Sequence, residues 1–138
     1  MQEDSENFFA KVDFAFLGQQ KPVTVSGDTI DLTRDVQLVS LPGHTPGQMG
    51  LLVRLDNTGW VMLTSDALYT HDSYGPPSVG SPIVWESDKW RSSVETIRNL
   101  ATEREAFIFP GHDTTGIKQF KNRSEVRTID FWPGYQYE

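Results

Sequence analysis

The sequence contains no cysteine, which excludes disulfide bridges and thiolate metal sites. It has only three histidines, so any site built from imidazole groups has few candidate residues. No apolar run reaches the roughly eighteen residues that a helix needs to cross a membrane. These absences leave a chain of 138 residues whose length suits one domain with a modest hydrophobic core.

Basic residues are also scarce, because 12 Lys and Arg face 19 Asp and Glu, for a net charge of -7. Nucleic-acid binding relies on clustered Lys and Arg, and an acidic surface is repelled by anionic lipid. The composition therefore predicts no nucleic-acid partner and no membrane partner. The first residues, Met1–Glu6, are acidic where a signal peptide would be basic and then apolar, which predicts a cytoplasmic location.

Two Pro-Gly-His sequences stand out, because each follows a short apolar run that predicts a buried strand. A third such run ends in Ser-Asp. The three predicted strand ends thus present His44 after Val36–Leu41, Asp66 after Trp60–Thr64, and His112 after Ala106–Phe109. Imidazole and carboxylate are ligands that zinc and related divalent metals prefer. The pattern therefore predicts a metal site at the ends of these strands.

Each of these residues also has an ordinary structural interpretation. A single His after Pro-Gly is more often a turn residue, and an Asp after a strand is usually a cap or a turn former. The repeated Pro-Gly-His arrangement, with the Asp between its two copies, favours the metal site. The third histidine, His71, lies in a polar segment with no preceding strand, and we interpret it as solvated.

Three further elements follow from local patterns. Residues 23–25 and 29–32 flank Ser26-Gly27-Asp28, which predicts a hairpin. A second hairpin is predicted from Met49–Leu55 and Trp60–Thr64 around a polar turn. Ser87-Asp88 is predicted to cap a helix over Lys89–Ala101, in which apolar residues form a stripe at helical spacing. Residues 7–17 and 123–138 are rich in aromatic side chains, which we expect to be covered.

The segments Leu41–Gly50, Leu63–Tyr69 and Ile108–Asp113 resemble the metallo-β-lactamase superfamily, and within it the N-acyl-homoserine lactonase branch. The resemblance covers roughly Val23 to Asp113, and its Gly-His-Thr-Pro-Gly segment is specific. It implies an α/β fold, namely the C-terminal half of an αββα sandwich, with a mixed sheet and helices on one face. It also implies metal-dependent hydrolysis of a small-molecule lactone or ester.

The same resemblance implies roles for individual residues. His44 and His112 correspond to ligands of a pair of zinc ions, and Asp66 corresponds to the carboxylate that bridges them. Tyr69 corresponds to a tyrosine whose hydroxyl faces the substrate carbonyl and stabilises the developing oxyanion. Asp66 and Tyr69 are therefore the predicted catalytic residues.

One family motif, His-x-His-x-Asp-His, is absent from the sequence. In the family it supplies the remaining metal ligands from the N-terminal half of the fold. We therefore predict that residues 1–138 form a single, partial domain that lacks this half and is inactive alone. Zinc occupancy is expected to be partial or nil.

A half fold would leave one apolar face of its sheet in water, so we expect a homo-oligomer, a missing N-terminal half or the chain's own aromatic termini to cover it. Two alternatives remain open for the function. The chain could be a non-catalytic remnant that dimerises or binds a partner. It could also hold a single metal with His44, Asp66 and His112 as a two-His-one-carboxylate face.

Overall fold

A five-stranded sheet and one long helix dominate the computed structural model, which describes residues 23–80 and 83–113. The strands lie in the sheet in chain order. They are β1 (Thr29–Thr33), β2 (Val36–Ser40), β3 (Met49–Leu55), β4 (Gly59–Ser65) and β5 (Phe107–Pro110). A short helix, α1 (His71–Tyr74), and the long helix α2 (Ser87–Arg104) lie between β4 and β5. The predicted α/β fold with a mixed sheet is confirmed.

The direction of the strands determines which residues meet. Strands β1 to β4 pair antiparallel in succession, whereas β5 pairs parallel to β4. Strands β2, β4 and β5 therefore run the same way and end at one edge of the sheet. We call this the site edge, because the loops that follow these three strands carry His44, Asp66 and His112.

Helix α2 covers one face of the sheet with the predicted apolar stripe. Trp90, Val94 and Ile97 are buried, and they join one core with residues of the sheet. The sheet's share of this core comes from alternate positions on the three central strands: Val39, Leu52 and Met62. The Trp90 indole N–H donates a 2.8 Å hydrogen bond to the carbonyl of Ala67, so the one polar group of this large side chain is satisfied inside the core.

Both ends of α2 differ from the prediction. The helix begins at Ser87, with Glu86 as its N-cap and no side-chain cap, so the predicted Ser87-Asp88 cap is wrong. It continues past Ala101 to Arg104. Glu105 then adopts a left-handed conformation, with its N–H bonded to the Ala101 carbonyl, and this closes the last turn.

The predicted first hairpin is also wrong, whereas the second is confirmed. Residues 23–25 form no strand, and the turn that joins the first two strands lies at Arg34-Asp35. Asp28 instead accepts a 2.8 Å backbone hydrogen bond from Ser40 and continues the pairing of β1 with β2. The turn signal at Ser26-Gly27-Asp28 therefore precedes β1 and does not connect two strands.

The sheet face opposite α2 is apolar. Alternation along the strands places two rows of paired side chains on it: Val36–Val53–Val61–Phe107 and Leu38–Leu51–Leu63–Phe109. We call this the outer face. Val61, at the centre of one row, is only 4% exposed. The aromatic segments 7–17 and 123–138 lie outside the described residues.

Neither helix among the described residues is long and apolar enough to cross a membrane.

Candidate metal-binding site

The three predicted ligands meet at the site edge of the sheet. The Asp66 carboxylate lies between the two imidazoles, and each imidazole approaches a different oxygen. His44 Nε2 is 3.4 Å from Asp66 Oδ2, and His112 Nε2 is 3.1 Å from Asp66 Oδ1. The predicted convergence is therefore observed, although His44 precedes Asp66 by 22 residues in the sequence and His112 follows it by 46.

His44 is held by its other ring nitrogen. Nδ1–H donates a 2.7 Å hydrogen bond to the carbonyl oxygen of Ile83, which can only accept. This bond places the proton of the neutral imidazole on Nδ1 and leaves the Nε2 lone pair facing Asp66. Metal-binding histidines are oriented in this way by a backbone carbonyl on the far side of the ring. The side chain is 12% exposed, so its position is well defined by packing.

The loop that carries His44 is fastened to the start of α2. The Ser93 hydroxyl donates a 2.6 Å hydrogen bond to the Pro42 carbonyl, and the Glu86 N–H donates a 3.0 Å bond to the Gly43 carbonyl. Gly43 has φ of 141°, and a Cβ there would lie 2.4 Å from backbone atoms of Trp90. Only glycine allows this loop and the helix to approach so closely.

The loops after β4 and β5 are joined to each other in the same manner. Gly111 N–H donates to the Leu68 carbonyl and His112 N–H donates to the Tyr69 carbonyl, each at 2.9 Å. A Cβ on Gly111 would lie 2.8 Å from the carbonyl oxygen of Ser65 and 3.1 Å from Asp66 Oδ1. The glycine of the second Pro-Gly-His sequence thus lets the two loops approach closely enough for His112 to reach Asp66.

Tyr69 lies between the two imidazoles. Its ring stacks on that of His112, with centroids 4.4 Å apart and planes 18° apart. It meets the ring of His44 edge-on, at 5.8 Å and 63°. The predicted catalytic tyrosine is therefore part of the same cluster as the predicted ligands, and its role in chemistry stays a prediction.

His71 is not simply solvated, and our interpretation of it was wrong. Its Nδ1–H donates a 2.5 Å hydrogen bond to Asp113 Oδ2, and its backbone N–H donates to the same oxygen at 2.8 Å. The Asp113 side chain is only 8% exposed. The sequence contains one signal for this contact, namely an acidic residue directly after the second Pro-Gly-His.

The donor set fits part of a metal site. Ligand atoms about 2.1 Å from a tetrahedral zinc ion lie about 3.4 Å from one another, which matches the separation of each imidazole nitrogen from its carboxylate oxygen. Within residues 23–80 and 83–113, however, no group of three or more His, Asp or Glu side chains is arranged around a single point. The geometry is that of two pairs sharing one carboxylate, which does not support the single-metal alternative.

An apolar groove of about 490 Å³ runs from the outer face to this cluster. Its walls include Leu38, Leu51 and Phe109, and its end is formed by Asp66 and His112. The polar cluster and the apolar outer face are therefore continuous.

Comparisons with individual known proteins find relatives of this chain, although no family model matches the sequence. The chain is 33% identical over 91 residues to an N-acyl homoserine lactonase of Bacillus sp, which is 64% of this chain and 34% of that protein. It is 35% identical over 100 residues to the N-acyl homoserine lactonase AttM of Rhizobium radiobacter, or 71% of this chain and 38% of that protein.

A solved structure shares the fold. It is an N-acyl homoserine lactone hydrolase with the product N-hexanoyl-L-homoserine bound at its catalytic metal centre. The TM-score is 0.62 at 26% identity, over 70% of this chain and 38% of that one. The chain thus spans little more than a third of the length of each of these relatives.

Proposed function

Because this chain is related to part of the N-acyl homoserine lactonases of the metallo-β-lactamase superfamily, we propose that it is a portion of a metal-dependent hydrolase that opens lactone rings. The observation that carries the proposal is the placement of Asp66 between His44 and His112, with one carboxylate oxygen toward each imidazole. Those are the positions that the sequence resemblance assigns to a bridging ligand and its two neighbours.

In this proposal each residue of the cluster has a separate task. Asp66, His44 and His112 would hold a pair of zinc ions, with Asp66 as the shared carboxylate and one imidazole on either side of it. Bound zinc supplies Lewis-acid polarisation of the substrate carbonyl and lowers the pKa of a coordinated water. Tyr69, held against His112 by stacking, donates its hydroxyl proton in a hydrogen bond to the oxygen on which negative charge develops.

The same proposal makes this chain insufficient for turnover. The His-x-His-x-Asp-His motif is absent, and three donor groups leave open positions on both ions. Zinc is therefore held weakly, and catalysis requires ligands from another polypeptide segment.

Zinc binding and hydrolysis of N-hexanoyl homoserine lactone test this proposal together. We expect zinc to bind with micromolar or weaker affinity, measured by equilibrium dialysis, and lactone opening no faster than in buffer. Co-expression with the part of a related lactonase that this chain does not match should yield zinc-dependent turnover. Tyr69→Phe in the same pair should reduce it by roughly 100-fold, the usual effect of losing one oxyanion donor.

Two results would contradict the proposal. Turnover by this chain alone, lost with chelator and restored by zinc, would show that its own residues complete the site. No zinc binding, with or without the added segment, would favour the non-catalytic remnant.

We further propose that the outer face is covered by another polypeptide, either the missing part of the fold or a second copy of this chain. The two apolar rows on this face support the proposal, since every several hundred Å² of such apolar area left in water would cost many kcal/mol at roughly 25 cal/mol per Å². A stable contact of this kind buries at least about 1,000 Å² in total.

Val53→Asp places a charge in the middle of this face and is expected to leave the chain poorly folded or insoluble. Leu32→Asp is the matched control, because Leu32 lies on the edge strand β1 and is 52% exposed. Sedimentation and circular dichroism of both variants measure the effect. A wild-type chain that is a well-folded monomer at all concentrations, with Val53→Asp unchanged, would contradict the proposal.

A further inference from the structure

The His71–Asp113 pair joins the loop after β4 to the loop after β5, just beyond the proposed metal site. Asp113 Oδ2 accepts both the backbone N–H of His71 at 2.8 Å and its ring Nδ1–H at 2.5 Å. The carboxylate is nearly buried, at 8% exposure, while the imidazole is 40% exposed. The two residues are 42 positions apart in the sequence, so the contact is a tertiary link and not part of a local turn.

We propose that this pair is a clamp that positions His112 and Tyr69 relative to Asp66. Its effect on zinc affinity rests on the proposed metal site, whereas its effect on the position of His112 does not. Neither residue binds the metal or the substrate in this proposal. Both act through their neighbours, since Asp113 directly follows His112 and His71 is two residues after Tyr69.

The arrangement of hydrogen bonds around His112 supports the clamp. On the N-terminal side, the loop is held by the N–H groups of Gly111 and His112, which donate to Leu68 and Tyr69. On the C-terminal side, Asp113 is held by both donors of His71. The His112 side chain is 55% exposed, and its ring contacts the stacked Tyr69 ring and the Asp66 carboxylate. Where the ring lies relative to these two groups therefore depends on the bonds that hold the backbone on either side of His112.

The chemistry of Asp113 makes the link strong. A carboxylate that accepts two N–H bonds through one oxygen in a nearly buried position forms charge-assisted bonds, which are about twice as strong as neutral ones. It also satisfies the N–H of the first residue of α1, a group that has no partner within its own helix. Tyr69, which stacks on His112, belongs to the segment that this bond holds in place.

Four variants separate positioning from folding. Asp113→Ala removes both bonds, and His71→Leu removes only the side-chain bond. His71→Asn should rescue, because its amide nitrogen occupies nearly the position of Nδ1 and still donates. Asp72→Asn is the matched control, since this exposed carboxylate is the neighbour of His71 on the same short helix.

The first measurement is the NMR signal of the His112 ring protons in the metal-free chain. Because the Tyr69 ring is stacked 4.4 Å away, we expect its ring current to shift these protons upfield in the wild-type chain. We expect Asp113→Ala and His71→Leu to move them toward the position of a free imidazole, while the amide signals of β2 to β4 stay in place. His71→Asn and Asp72→Asn should leave them as in the wild type.

The second measurement is the zinc dissociation constant. Loss of a group that supports a metal ligand from outside the coordination sphere typically weakens metal binding by 10- to 100-fold. We expect the zinc dissociation constant to rise by roughly this factor for Asp113→Ala and His71→Leu. The two changes together should cost no more than Asp113→Ala alone. Unchanged His112 signals in both variants would overturn the clamp. If the wild-type chain binds no zinc but the ring signals shift as expected, the clamp stands and the metal site fails.

Discussion

Asp66→Ala is expected to abolish zinc binding at the site edge and leave the fold intact. The Asp66 carboxylate is the acidic group that the two imidazoles share, with a different oxygen toward each. Its removal separates the site into two isolated histidines. The zinc affinity should therefore fall by more than about 100-fold, which exceeds the usual effect of losing a residue that only hydrogen-bonds to a metal ligand. The side chain is 34% exposed, and its loss leaves no cavity in the core.

Equilibrium dialysis with zinc measures the affinity, and circular dichroism measures the fold. Asp88→Ala is the matched control, because the Asp88 side chain is 91% exposed on α2 and pairs with Arg91 on the same helix. A variant without Asp66 that binds zinc as tightly as the Asp88 control would contradict the shared-carboxylate geometry. Such a result would place the metal on other residues.

Gly43→Ala is expected to destabilise the fold by about 2–6 kcal/mol. The estimate combines about 1–3 kcal/mol for a non-glycine residue in a strained backbone conformation with about 1–3 kcal/mol for overpacking. Both causes apply, because Gly43 has φ of 141° and an added Cβ would lie 2.4 Å from the backbone of Trp90. Whole domains are stable by only about 5–15 kcal/mol, so this variant should be close to unfolding.

Urea unfolding gives the free energy, and Gly47→Ala provides the control in the same loop. A Cβ added at Gly47 would meet no heavy atom of the described residues within 4 Å, and Gly47 has no unusual φ. This change should therefore alter stability by less than about 0.5 kcal/mol. Equal stability of the two variants would show that the loop and α2 can separate without cost. In that case the close contact would not be what holds His44.

The convergence of His44, Asp66 and His112 was predictable because the signal is local at each position. A short apolar run followed by Pro-Gly-His or Ser-Asp indicates a strand end without knowledge of any partner. The family resemblance then supplied the common edge. What the residues alone did not supply is the parallel pairing of β5 with β4, since that depends on the crossover through α2.

The supporting contacts could not be predicted for a related reason. His44 is oriented by the carbonyl of Ile83, 39 residues away, and a carbonyl oxygen carries no side-chain signature in the sequence. The link from His71 to Asp113 spans 42 residues. His71 looked like a loop residue because its neighbours are polar, and only the tertiary fold brings the acidic partner to it. Local patterns therefore predicted the residues that converge at the site edge and missed the contacts that hold them in place.

The strand directions also describe the edge of the sheet that lies opposite the site. The turns at Arg34-Asp35 and at residues 56–58 both lie there, where β2 and β4 begin. A seven-residue strand such as β4 spans about 23 Å, so these turns are far from Asp66. The sheet thus has the site edge at one end of its strands and an edge that tolerates change at the other. Residues 56–58 are accordingly the place to insert a fluorophore tag or a surface-attachment sequence, because changes there should leave the site edge undisturbed.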